Sequence, residues 1–271
     1  MCSSDLHLHT RYSDGAFTPG ELVRAATTKG LAAIAVTDHD TLEGVAETKR
    51  AGEAACLEVI VGVEITARVE QQEIHLLGYF FSDDWQASTL VVALKHAQQI
   101  REERARQFVG RLNDLGIPVA MEDVLACSDR GTVGRPHVAE ALVRRKVVKS
   151  VEEAFERFLK RGKPAFVERY RMEAAEAIGH VTRAGGVAVL AHPGLNRVDA
   201  KIREMRDQGL RGLEVWHTKH TKSQTEHYRV LAEELGLVAT GGSDCHGPLR
   251  GGPIIGSVPV PYEVLDALRK A

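Results

Sequence analysis

Residues 31–39 read LAAIAVTDH, a continuous apolar run that ends in a histidine. A strand with no polar face is buried on both sides, as parallel strands are when helices cover the sheet. The pattern recurs as VIVGVE over 59–64, GVAVLAH over 186–192, GLEVWH over 212–217 and GLVAT from Gly236, the last followed by GGSDCH up to His246. Helices with legible ends lie between these runs. Thr18-Pro19-Gly20-Glu21 forms a capping box with proline at the first helical position, and Gly30 closes that helix. Ser223 to Glu226 opens another helix, which stops near Gly236. Alternating strands and helices with short connections imply mostly parallel strands, and their number suits a barrel better than a small open sheet.

The alternation ceases from about Lys95 to Tyr170, where the chain reads as several helices. Ser150-Val151-Glu152-Glu153 is another capping box, followed by Phe155, Phe158 and Leu159 at helical spacing before Gly162. The expected organisation is therefore an α/β barrel over 1–94 and 171–271, with a helical insertion over 95–170. Charge divides along a similar line. Residues 101–171 carry 16 Lys and Arg against 11 Asp and Glu, while the whole chain has a net charge of -2. A basic segment inside an acidic frame suits a site that binds both cations and phosphate.

The overall composition, 44% hydrophobic and 27% charged, is that of a folded globular chain. Cys2, Cys56, Cys127 and Cys245 have no Cys-x-x-Cys spacing and read as free thiols. No apolar run approaches the length of a membrane helix, and the first chemical motif begins at Asp5, leaving no room for a cleavable signal. These features point to the cytoplasm, with no membrane contact and no obligatory protein partner.

The opening motif DLHLHT spans residues 5–10. In an extended strand His7 and His9 share one face and can chelate one ion, although His-x-His alone is a weak signal in a chain with 12 histidines. The other candidates add weight through their positions. His39 follows LAAIAV, Glu64 ends VIVGVE, His75 lies in EIHLLGYF, His192 follows GVAVLA, and Asp244 and His246 follow LVAT. Each is expected at or near a strand's C-terminal end, the edge where the loops of a parallel barrel build an active site. His217, also after a strand, could contact a phosphate or leaving group. Asp38 and Asp40 could orient His39 or cap the next helix. Cys245 is expected to point away from its neighbouring ligands if the segment is extended.

DLHLHT with Asp14, TDHD, Glu64, His75, AHP and GSDCH, taken in this order, resemble the polymerase and histidinol phosphatase family, usually called the PHP domain. The resemblance covers nearly the whole chain outside the insertion. It implies a distorted seven-stranded (β/α) barrel and a site for three divalent ions. His7, His9, Glu64 and Asp244 would hold the first ion, and Glu64, His75 and His192 the second. Asp14, His39 and His246 would hold the third. Imidazole and carboxylate ligands without cysteine fit Mn²⁺, Fe²⁺ or Zn²⁺ better than Mg²⁺ or Ca²⁺, with Mn²⁺ the first expectation.

Closely spaced divalent ions activate water and stabilise charge on the attacking and leaving oxygens of an in-line displacement, as phosphate ester hydrolysis requires. Glu64, Asp244 and His217 are the residues expected to serve the reaction directly. Substrate choice is expected in the insertion, where Arg101 and Arg104 share a helix face and GRPH places Arg135 and His137 before another helix. The insertion and GRPH look like the branch that contains 3',5'-nucleoside bisphosphate phosphatase and 5'-to-3' exonucleases on short RNA. The expected substrate is therefore a nucleoside 3',5'-bisphosphate that loses its 3'-phosphate, or a short RNA 5'-end. The alternatives are histidinol-phosphate phosphatase or another PHP phosphatase and, from a different class, a non-catalytic metal-stabilised nucleotide sensor. A metal-dependent amidohydrolase would want a bridging lysine at a strand end, and no candidate is present.

Overall fold

The computed structural model describes residues 3–128, 133–168, 172–247 and 254–271. Cys2 and the Tyr170 end of the insertion lie outside the described residues. The chain runs β1 (Ser3–Leu8), α1 (Pro19–Thr28), β2 (Ala33–Val36), α2 (Val45–Ala54), β3 (Glu58–Val69) and β4 (Gln72–Phe80). A helical stretch follows: α3 (Thr89–Asp114), α4 (Met121–Ser128), α5 (Arg135–Arg144) and α6 (Val151–Ala154), the last continued by a π-helical turn over Phe155–Leu159. The second half contributes β5 (Met172–Glu173), α7 (Ala174–Arg183), β6 (Val187–Leu190), α8 (Pro193–Asn196), α9 (Asp199–Asp207) and β7 (Gly212–His217). It ends with α10 (Lys222–Leu235), β8 (Val238–Gly242), β9 (Val260–Pro261) and α11 (Glu263–Lys270).

Strands in the order β8-β7-β6-β4-β3-β2-β1-β9 form a nearly closed α/β barrel, and short β5 pairs with β3. The seam lies between β1 and the segment after β8, where the Asp244 N–H donates to the His7 carbonyl at 3.0 Å and the His9 N–H to the Cys245 carbonyl at 3.1 Å. Gly242 permits this approach, because a Cβ there would lie 2.4 Å from the Cβ of His7. Asp5 latches the same seam by accepting N–H donors from Ser243 and Gly256, each at 2.8 Å.

Pairing is parallel between β1 and β2, β2 and β3, β6 and β7, and β7 and β8. Strand β4 departs from this rule, running antiparallel to both β3 and β6. The reversal is a tight hairpin at Glu70 and Gln71, with Glu70 at φ +55°. That turn has none of the Asn-Gly or Asp-Gly chemistry that marks a hairpin in sequence. The Thr18–Glu21 capping box and the left-handed Gly30 end α1 as expected. For α10 the cap is Thr221, with Gln224 completing the box, two residues before the expected start.

The apolar clusters of the barrel and that of the helical stretch are separate. The barrel core includes Val63, Ile65, Leu76, Leu190 and Leu213, whereas Phe108, Leu112, Val138, Leu142 and Leu159 pack together within the helical stretch. Helix α3 belongs to both: Leu90 and Leu94 join the barrel core, and Ala105, Phe108 and Leu112 the other. Its middle, from Arg101 to Arg104, is the joint between the two bodies of packing.

Candidate metal centre

Nine side chains converge at one end of the barrel. β1 delivers His7 and His9, both fully buried, while β3 delivers Glu64 at 1% exposure. His39 follows β2 and is bridged to Glu64 in parallel fashion. His192 follows β6, and Asp244 and His246 follow β8. His75 reaches the same end by a different route from the one expected. It lies near the start of β4, opposite Thr66 on β3, because an antiparallel strand begins at the edge where its parallel neighbours finish.

The distances are those of ligands around shared cations. Glu64 Oε2 lies 3.3 Å from His7 Nε2, 3.2 Å from His9 Nε2 and 3.1 Å from His39 Nδ1. Glu64 Oε1 lies 2.7 Å from His75 Nδ1 and 3.1 Å from His192 Nε2. Asp244 Oδ1 is 3.3 Å from His9 Nε2, and Asp14 Oδ1 is 3.2 Å from His246 Nε2. Two ligands bonded at ~2.1 Å to one ion are themselves ~3.0–3.4 Å apart. Ligating atoms of His9, Asp14, His39 and His246 form one group within 4.8 Å of one another, as do those of His7, His9 and Glu64, and those of His39, Glu64 and His75.

Several of these atoms have no hydrogen-bond partner although they are buried: His7 Nε2, His9 Nε2, Asp14 Oδ1, His39 Nδ1, Glu64 Oε2 and His192 Nδ1. Unpaired buried polar atoms are costly, and so many in one place call for a cation. The donor set therefore fits divalent metal. Electrostatics agree. Burial works against charge on His7, yet Glu214, Glu64 and Asp244 hold its pKa well above the imidazole range. Burial likewise opposes charge on His9, but Asp244 and Glu64 push it up to about 10. Burial dominates at His39, which falls to about 3. Burial would raise the Glu64, Asp14 and Asp244 carboxyls, but the surrounding imidazoles hold all three well below the usual range.

The second ring nitrogen sorts the histidines by role. His7 Nδ1 donates to the Glu214 carboxylate at 2.9 Å, which makes Nε2 the nitrogen that a metal would take in place of a proton. His246 Nδ1 donates to the Asp244 carbonyl at 3.0 Å, with the same consequence for its Nε2. His217 is the reverse case. Its Nδ1 accepts the Lys219 backbone N–H at 3.2 Å, so its Nε2 carries the proton, 3.4 Å from Asp244 Oδ2.

Sequence reading gave no role to Asp5, Glu214 and Lys219, and a different one to Asp38. Asp5 latches the seam, Glu214 holds His7, and Lys219 brings Nζ to 3.4 Å from Asp244 Oδ2. Asp38 accepts the Thr10 N–H, the Thr10 hydroxyl and the Ser13 hydroxyl, and so shapes the loop after β1. Only alternate residues in a buried strand carry a signal, and Glu214 in GLEVWH has no motif around it. Neither Asp38 nor Asp40 caps α2, whose N-cap is Gly44. Asp40 instead accepts the Thr66 N–H and pairs with Arg101. Cys245 packs among Leu8, Leu22 and Ile34, away from the ligands. The segment is not extended there, however, since Asp244 sits at φ +54°.

The four insertion residues expected to meet substrate all line one cavity of about 190 Å³, together with Asp14, His39 and His75 from the metal centre. Arg101 donates through Nε to Asp40 at 2.6 Å and through a terminal nitrogen to Thr66 at 2.7 Å. Arg104 donates twice to the Val167 carbonyl, at 3.1 and 2.8 Å. The Arg135 guanidinium lies 5.9 Å from the centroid of the Phe155 ring. His137 Nδ1 accepts the Gly134 N–H at 3.1 Å, which puts its proton on Nε2.

The family pattern described as the PHP domain matches residues 5–208. The chain belongs to the PHP domain family. A 3',5'-nucleoside bisphosphate phosphatase of Chromobacterium violaceum is 33% identical to this PHP protein over 262 residues, covering 94% of this chain and 91% of its own. A 5'-3' exoribonuclease of Haemophilus influenzae is 35% identical over 249 residues and covers 90% of each chain. Among solved structures, a Bifidobacterium adolescentis protein assigned to the metal-dependent phosphoesterases matches the PHP fold with a TM-score of 0.88 at 32% identity. That match covers 98% of this chain and 95% of the other.

Proposed function

We propose that this protein removes the 3'-phosphate from nucleoside 3',5'-bisphosphates, leaving the 5'-monophosphate, and that the same site degrades short 5'-phosphorylated RNA from its 5' end. The broader class, a hydrolase of the phosphoesterase type, follows from the family and its named relatives. The observation that carries the finer reading is one cavity lined both by the candidate ligands Asp14, His39 and His75 and by Arg101, Arg104, Arg135 and His137. A substrate with two phosphates can present one to each set.

Bound divalent ions, three in this reading and most readily Mn²⁺, with Fe²⁺ or Zn²⁺ as alternatives, would activate water and neutralise phosphoryl charge. The nine residues from His7 to His246 would hold them, with Glu64 shared between the first two. Arg135 offers a planar fork and His137 an Nε2 proton to the phosphate that does not react. Arg101, paired with Asp40 beside His39, ties the two sets together. His217 would hold a proton on Nε2 for the leaving oxygen, in register with Asp244. The helical stretch over 95–170 thus acts as the part that selects substrate. Cys56, Cys127 and Cys245 form no disulfide, which favours a cytoplasmic setting, and no described helix is long and apolar enough to cross a membrane.

Phosphorus NMR of the product from adenosine 3',5'-bisphosphate tests the assignment. The expected product is adenosine 5'-monophosphate; adenosine 3'-monophosphate as the main product would reverse it. Histidinol phosphate and a short oligoribonucleotide complete the panel, and turnover of histidinol phosphate above both others would replace this reading. Binding of nucleotide without phosphate release by Mn²⁺-loaded protein would make it a sensor instead.

A further inference from the structure

Glu214 stands on β7, fully buried, and belongs to none of the candidate ligand groups. Its two oxygens meet donors from two different segments, strand β1 and the turn that follows β6. Oε1 accepts from His7 Nδ1 at 2.9 Å, and Oε2 accepts the His192 backbone N–H at 2.7 Å. His192 holds φ +30° and ψ +55°, a backbone state that a non-glycine residue keeps only when its surroundings fix it.

We propose that Glu214 is a positioning residue that couples the first and second metal positions, so that the ions at His7 and at His192 are gained and lost together. The proposal rests on the multi-ion reading of the centre and is independent of which substrate it serves. Two N–H donors require two acceptor oxygens. A glutamine at this position has one oxygen and one NH₂ group, so one donor must face another donor. Either the His7 ring moves its proton to Nε2, which removes the lone pair a metal needs, or His192 loses the partner that holds its peptide. The two faults strike ligands of different ions, and because Glu64 faces His7 through one oxygen and His192 through the other, either fault reaches both positions. Changes to groups that hold metal ligands commonly cost about 10–100-fold in metal affinity.

The test is equilibrium dialysis against Mn²⁺ alone, with no substrate, on the wild type and Glu214→Gln. The wild type is expected to fill two positions in one cooperative step, and Glu214→Gln to weaken both together by about 10–100-fold while sparing the third. Glu214→Asp keeps both oxygens one methylene shorter and is expected to recover part of the loss; if Glu214→Gln does not fold, Glu214→Asp against wild type carries the comparison. An unchanged loading curve in the folded variant, loss of one ion only, or independent filling in the wild type would overturn the proposal. A lower melting temperature with normal Mn²⁺ loading would also overturn it, since that is the mark of a merely structural carboxylate. Failure of the phosphatase reading would show differently, as normal Mn²⁺ loading in a wild type that releases no phosphate.

Discussion

The candidate metal centre and the basic part of the cavity beside it are built on opposite principles. In the metal centre, His7, His9 and Glu64 are buried on or just after barrel strands and leave polar atoms unpaired. In the basic part, Arg101 and Arg104 already have protein partners, and the groups sit on helices with a core of their own. A part whose polar atoms lack partners is completed by something from outside, while a part whose groups are partnered is set by how its helices dock. Chemistry should therefore fail through the first and selectivity through the second.

The largest effect expected from this contrast is at Glu64. Glu64→Gln removes the charge that His7, His9, His39, His75 and His192 all face, and kcat/KM should fall by about 10³-fold or more on a bisphosphate and on a simple aryl phosphate alike. Exhaustive chelation with verified metal removal should do the same; full turnover afterwards would break the comparison at its root. Next comes Phe108→Ala in the second core, expected to cost about 3–5 kcal/mol of that core's stability. Mn²⁺ loading measured under conditions where the barrel stays folded should remain intact, and its loss would show that the two bodies of packing are one.

Arg135→Ala sharpens the contrast further. It should lower kcat/KM on adenosine 3',5'-bisphosphate by about 10–100-fold and on an aryl phosphate by much less. Equal losses on both substrates would place Arg135 with the reaction centre. The smallest effect is a matched pair of helix caps, Thr18→Ala on the barrel and Ser150→Ala on the helical stretch, each expected to cost about 1 kcal/mol. Calorimetry should show the two losses in separate transitions if the cores melt independently, and in one if they do not.

Much of the fold was legible because buried strands and capped helices follow local rules. LAAIAV and GVAVLA became β2 and β6, and Thr18 and Gly30 bound α1 as read. The antiparallel course of β4 was not legible, since its turn at Glu70 carries no hairpin signal. Nor was α3 as a bridge between two cores. Its apolar residues keep one helical spacing throughout, and only packing separates Leu94 from Phe108.

The sequence alone determined which side chains could serve as ligands and roughly where most of them fall along their strands, His75 excepted, because strand alternation and strand ends are local properties of the chain. Tertiary structure decided what those side chains do. His7 and His217 are both histidines on barrel strands, yet Glu214 leaves Nε2 of one to a metal while the Lys219 N–H turns a proton inward at the other. Those partners lie 207 residues away from His7 and two residues from His217. The tautomer of an imidazole depends on the hydrogen bond at its other nitrogen, and for His7 that bond exists only once the barrel has closed.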